Sequence, residues 1–276
     1  MSRTAGTTAG RIGGPSSSTA RRLSPRLIDA ASEAGFELLV IDRPGYGGAA
    51  RRPSRRIADV VDDVGAVLKA VGWDRFAVWG GSGGAPHALA MAARLPDRVT
   101  ACASVVGLAP YDAAGLDWYE GMSAGNVEEF RAAARGEDAY RPLVERLAAD
   151  AMASIDSGGI QVAGDYQLPE ADLRALMARR REHGYRERMT MTYRHGVDGW
   201  IEDCIALTRP WGFELSELTM PASVWYGTAD VLASRDHHEY LLAAITGAQR
   251  RELSGGHVLD GQALEAIYAW LAGACG

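Results

Sequence analysis

Apolar positions along the chain follow two rhythms that change over near residue 111 and again near residue 218. From Phe36 to Ile41 they form a near-continuous run, as expected for a strand covered on both faces. Ile57, Val60, Val61, Val64, Val67, Leu68 and Val71 then recur at helical spacing and predict an amphipathic helix. Phe76–Trp79 and Val99–Val106 read as further buried strands, separated by an Ala-rich helical stretch. Ahead of these, Ser24 and Pro25 supply the N-cap and first-turn proline of a short helix that ends at Gly35. This alternation predicts an α/β fold, a mostly parallel sheet flanked by helices and built with right-handed crossovers.

From about Tyr111 to Glu217 the strand signals stop. Helices are predicted from Asn126, over Ala139–Ile155, over Pro169–Arg181 and over Val197–Leu207. A buried strand returns at Ala222–Tyr226, and a weak one follows around Arg251–Leu253. The chain therefore divides into a core of residues 23–110 and 218–276, and an inserted helical cap of residues 111–217. Residues 1–22 form a poorly structured N-terminal segment in this reading. Met1–Arg11 is polar and lacks the apolar stretch of a signal peptide.

The chemistry concentrates where the Phe76 strand meets the next helix. Gly80-Gly81-Ser82-Gly83-Gly84 fits the G-x-S-x-G nucleophile elbow, a sharp turn that pushes a serine hydroxyl clear of the sheet. Glycines on either side let strand and helix approach without a Cβ. The Ala222 strand runs into Gly227-Thr228-Ala229-Asp230, which places a carboxylate past the strand's C-terminal end. Gly255-Gly256-His257 follows the last weak strand. Ser82, Asp230 and His257 thus occur in one of the known triad orders, and ligands of parallel sheets bind beyond these strand ends. Each has a plain alternative: a flexible Gly-Ser loop, an ordinary turn aspartate, a surface-loop histidine.

With the loop Ile41-Asp42-Arg43-Pro44-Gly45-Tyr46-Gly47, these motifs make the chain from about Ile12 onward resemble a bacterial α/β-hydrolase with a helical cap. The resemblance implies an oxyanion hole formed by the amide of Gly83 and a second donor in a His-Gly-x-Pro-Gly-Ser-Ser loop. Ile12-Gly13-Gly14-Pro15-Ser16-Ser17-Ser18 matches that loop in part and offers Gly14, with Ile12 and Ser16 departing from it. Such proteins carry a β-hairpin and an apolar strand before this loop; here that material is missing or reduced to a poor strand. A misassigned start and a truly shortened protein both remain open.

At 276 residues and 47% hydrophobic, the chain can bury one substantial core with an inserted subdomain. Its formal charge of −6, without a basic stripe, argues against a nucleic-acid partner, and no apolar run is long enough for a bilayer. Cys102, Cys204 and Cys275 lack metal-ligand spacing and read as thiols of a reducing cytoplasm. The pattern calls for no metal and no cofactor. His87 reads as a helix-packing residue, and His237 and His238 as residues on the solvent face of a helix. Trp118, Tyr119, Met122, Tyr193, Trp200, Trp211 and Phe213 are expected walls of an apolar pocket, or else simple packing between cap and body.

A serine at the elbow points to ester, thioester, lactone or amide cleavage, where an aspartate would point to dehalogenation or epoxide opening. Some features resemble proline iminopeptidases, but that family places an aromatic residue directly after the serine, and here Gly83 stands there. The sequence therefore reads as a metal-independent serine hydrolase, monomer or homodimer, acting on a small carboxylic ester. A catalytically impaired homologue that binds a small ligand under the cap is the alternative.

Overall fold

The computed structural model describes residues 2–7, 24–160, 165–193 and 196–275, the first of these through the backbone alone. Its strands are β1 (Ser2–Thr7), β2 (Phe36–Val40), β3 (Phe76–Gly81), β4 (Val99–Val105), β5 (Ala222–Gly227) and β6 (Gln249–Leu253). They form one parallel sheet in the order β2-β1-β3-β4-β5-β6. Along β3, Phe76 and Val78 enter one hydrophobic cluster while Ala77 and Trp79 enter the other. Side chains alternate across a strand, so a strand covered on both faces shows no polar alternation.

Within residues 1–22, expected to be poorly structured, Ser2–Thr7 forms a strand of the sheet. Thr4 pairs with Leu38 on one side and with Ala77 on the other, which fills the position between β2 and β3. Strand pairing satisfies backbone N–H and C=O groups, so Ser, Arg, Thr, Ala and Gly can fill this slot without an apolar pattern. Residues 8–23, including the loop around Gly14, lie outside the described residues.

Helices α1 (Pro25–Glu33) and α10 (Gly261–Ala274) cover one face of the sheet. There Leu27 and Ala31 meet Tyr268 and Leu271 around Trp79, whose Nε1 donates to the Tyr268 hydroxyl at 3.3 Å. The other face carries α2 (Val60–Ala70), α3 (Ala85–Arg94) and α9 (Arg235–Ala244), through Val64, Leu68, Leu89, Met91 and Leu241.

Between β4 and β5 the chain forms α4 (Ala124–Ala134), α5 (Glu137–Asp156), α6 (Glu170–Arg180), α7 (Tyr185–Thr192) and α8 (Asp198–Leu207). The sequence pattern did not reveal α7, because Tyr-Arg-Glu-Arg-Met-Thr-Met-Thr has no continuous apolar stripe. α8 is held tightly to the core. A Cβ on Gly45 would lie 2.6 Å from the Gly199 Cα, so the two backbones meet where neither tolerates a side chain. Arg43 and Arg55 both pair with the buried Asp203, and Arg51 Nε donates to Glu202 at 2.5 Å. Among the described residues no helix is long and apolar enough to cross a membrane.

His237 and His238 are not on a solvent face; each is 0% exposed. α9 lies beneath the chain entering the helical insertion, so more than one of its sides is covered. The Ala109 amide donates to His237 Nδ1 at 3.0 Å, and His237 Nε2 donates to the Trp118 carbonyl at 2.9 Å. His238 stacks on Tyr226, with ring centroids 5.1 Å apart. Burial lowers the pKa of His87 to about 3, and those of His237 and His238 to about 4. Unfolding frees these rings to take up protons near the ordinary value of 6.5. Their stabilising contribution is therefore complete above that pH and is lost as pH falls toward 4. Tm should drop steadily across this window. His238→Phe, which keeps a ring on Tyr226 but has nothing to protonate, should flatten the decline, and an unchanged slope would remove His238 from the account.

Candidate active site

β3 ends at Gly81, and Ser82–Gly84 forms a single helical turn leading into α3. Ser82 has φ +54°, a left-handed conformation that costs a non-glycine residue energy unless its surroundings hold it. Strand pairing before it and the buried α3 after it supply that hold. One strand over, Val106 follows β4 with φ +45°, and its amide donates to the Trp225 carbonyl at 2.7 Å. A β-branched residue in this region is a genuine outlier.

The three residues from distant parts of the sequence meet beyond these strand ends. His257 Nε2 lies 2.8 Å from Ser82 Oγ, and His257 Nδ1 lies 2.9 and 3.1 Å from the two Asp230 oxygens. A carboxylate accepts, so Nδ1 carries the proton and Nε2 presents its lone pair to the serine hydroxyl. Asp230 Oδ1 also accepts the amides of Leu232 and Ala233 at 2.8 and 2.9 Å, which fixes the carboxylate. Burial opposes ionisation of both partners, yet their attraction prevails. Asp230 is held below its ordinary pKa, and His257 is raised above its own.

Gly83 stands directly after the serine at the positive end of α3, where a developing negative charge is favoured. Its carbonyl accepts from His87 Nδ1 at 3.0 Å, so Nε2 of that neutral ring accepts from Arg55 Nη1 at 3.2 Å. Arg55 in turn pairs with Asp203 of α8. This buried chain ties the turn after Ser82 to the helical insertion.

Two cavities, of about 400 and 250 Å³, both include Gly81, Ser82 and His257 in their walls. Of the seven expected wall residues, Trp200 lines the smaller cavity, where its Nε1 donates to Glu129 at 2.5 Å. The other six line neither of these two cavities. Trp118 is 4% exposed, donates to the Ala109 carbonyl and meets Phe130 and His237 edge-on. Tyr119 shares a hydroxyl bond with Tyr111, Met122 accepts from Asn126, Tyr193 lies beside Trp200, and Trp211 stacks on Phe213. Among the described residues no three or more His, Cys, Asp or Glu side chains come together in a way that could hold a metal ion.

Two residues of α6 went unnoticed in the sequence. Asp172 is 0% exposed and accepts the backbone amides of His257 and Val258 at 2.8 and 2.9 Å. A Cβ on Gly256 would sit 2.5 Å from that carboxylate, which explains the glycine before His257. Arg179, two helical turns on, lines the larger cavity and donates to the Leu259 carbonyl at 2.6 Å. Their seven-residue spacing puts both on one side of a helix, the only sequence signal of a joint role.

The family model for the alpha/beta hydrolase fold matches residues 13–259. The chain belongs to the α/β-hydrolase fold family. Epoxide hydrolase B of Mycobacterium tuberculosis is 37% identical over 93 residues, 32% of this chain and 25% of that enzyme. The chain thus matches about a quarter of the length of that relative. Among solved structures, an enol-lactonase from Burkholderia xenovorans aligns with a TM-score of 0.61 at 20% identity, covering 99% of this chain and 92% of that one. A thermophilic esterase from Thermogutta terrifontis aligns with a TM-score of 0.64 at 18% identity, covering 100% and 91%. At these identities the two alignments establish the hydrolase fold alone.

Replacing Asp172 by Asn turns one acceptor oxygen into a donor facing two amide donors. Hydrogen bonds to a charged acceptor contribute about 1.5–3 kcal/mol, so amide exchange at His257 and Val258 should accelerate roughly 10- to 100-fold. Equal exchange in the variant would show that Asp172 does not hold this loop.

Proposed function

We propose that this α/β-hydrolase-fold protein is a serine hydrolase that cleaves a small carboxylic ester or lactone through an acyl-enzyme. The observation that carries this reading is the unbroken contact series Ser82 Oγ–His257 Nε2–Asp230, with the serine at φ +54°. Two cavities meeting at Ser82 and His257 support it as well, since an ester has two arms to place. Epoxide opening of the kind expected from an elbow aspartate does not fit a serine at position 82.

In this mechanism His257 Nε2 takes the Ser82 proton as Oγ bonds to the carbonyl carbon. The carbonyl oxygen becomes an oxyanion, met by the Gly83 amide and, by family resemblance, the amide of Gly14. The C–O bond to the leaving alcohol then breaks, and His257 gives that oxygen its proton. Water attacks the acyl carbon in the same way, losing a proton to His257, and the acid leaves as Oγ is reprotonated. Asp230 remains ionised throughout and stabilises the transient imidazolium.

Because the base must be unprotonated, turnover should rise through an acid limb whose midpoint lies above the ordinary histidine value of 6.5. Asp230→Asn should lower that midpoint and cut kcat on the order of 10⁴-fold. Ser82→Ala should lose p-nitrophenyl ester turnover by a similar factor or more, and lose fluorophosphonate labelling, with Tm nearly unchanged. Folded wild-type protein that neither labels nor turns over esters would sink the hydrolase reading and favour the ligand-binding alternative.

A further inference from the structure

The larger cavity carries a cation that the chemistry above does not use. Arg179 shares its wall with Ser82 and His257. A guanidinium offers five N–H donors, and among the described residues the bond from Arg179 goes to a neutral carbonyl, that of Leu259. The nearby carboxylates are committed elsewhere. Glu182 takes Arg26 at 3.1 Å, Arg188 at 2.9 Å and the Ser24 hydroxyl at 3.0 Å. Asp172 takes the two amides of the His257 loop, and Asp260 accepts the Ala263 amide at 2.8 Å where α10 begins.

Burial lowers the Arg179 pKa, with Glu182, Tyr185 and Asp172 opposing the shift and Arg26 adding to it. Its charge in turn acts against protonation of His257, with which it shares the cavity wall. Among the described residues no carboxylate comes within ion-pair distance of this partly buried guanidinium, so a ligand anion that reached it would gain a pairing the protein does not itself make. Leu27, Trp79, Val106, Met189 and Leu264 provide apolar wall in the same cavity. At about 400 Å³ the space suits a short chain ending in a small charged group.

We infer that Arg179 anchors a carboxylate on the substrate, so that the enzyme acts on esters or lactones of small dicarboxylic acids. The planar guanidinium fork matches a carboxylate through two parallel hydrogen bonds, and its place in the same wall as Ser82 would seat the distal end of a substrate whose acyl carbon meets the serine. The inference rests on the acyl-transfer reading above, and its test separates the two.

Monoethyl glutarate and ethyl pentanoate have the same acyl length and differ in the terminal carboxylate. Wild-type protein should favour the hemiester by at least about tenfold in kcat/KM, mainly through a lower KM. Arg179→Met should lower that preference roughly 10- to 100-fold, the range of charge-assisted hydrogen bonds, and Arg179→Lys should restore part of it. Equal hydrolysis of the two esters by wild-type protein, or an undiminished preference in folded Arg179→Met, would overturn the anion anchor while leaving the hydrolase reading intact. Glutarate itself should raise the Tm of Ser82→Ala and fail to do so with Arg179→Met added. If neither ester is cleaved but this protection appears, the anchor stands and the hydrolase reading falls. Protection by inorganic phosphate and not by glutarate would overturn the carboxylate assignment.

Discussion

Ser82 adopts a backbone angle that an L-residue avoids, and much of the neighbouring structure serves to keep it there. The conformation is tolerated because β3 is paired on both sides and α3 is buried along nearly all its length. Without that double hold the turn would relax, and Oγ would leave the reach of His257. The same demand explains why β3 lies inside the sheet, with β1 on one flank and β4 on the other. A serine on an edge strand would lack one of the two ladders that pin it. The outlier at Val106, one strand over, shows strain gathered around a single cavity.

The sequence carried what depends on local pattern. Buried strands, helical stripes and the glycines around Ser82 each leave a signature within a dozen residues, and chain order linked Ser82 to Asp230 and His257. Features that depend on what packs against what were not legible. β1 is held by backbone pairing and shows no apolar rhythm. His237 and His238 follow a rule that gives a helix one wet face, but α9 is covered by both the sheet and the entry to the insertion. Aromatic residues of the insertion looked like pocket walls, yet Trp118 packs on Phe130 and His237 and Trp211 on Phe213, and neither lines the two cavities at Ser82.

Charge placement was the least legible of all. Asp172 and Arg179 share a helix with Glu170, Arg174 and Arg180, where nothing in composition separates a solvated side chain from a working one. Only coordinates show that Asp172 faces two backbone amides and Arg179 a cavity wall. The Arg43–Asp203–Arg55 cluster has the same character. Its members are 160 and 148 positions apart from Asp203 along the chain, and each is buried.

The meeting of Gly45 with Gly199, together with that cluster, bears on how the molecule divides mechanically. α8 belongs to the insertion by sequence but is fastened to the loop after β2 by a backbone contact and a buried triplet of charges. The segment carrying α6 and α7 meets the core through side chains such as Asp172 and, between the two helices, Glu182. The boundary drawn by the sequence pattern therefore does not coincide with the packing, since α8 shares a backbone contact and buried charges with the loop after β2. A change that pries Gly45 from Gly199 would reach the serine turn through Asp203, Arg55, His87 and the Gly83 carbonyl, a route that leaves the triad residues themselves untouched.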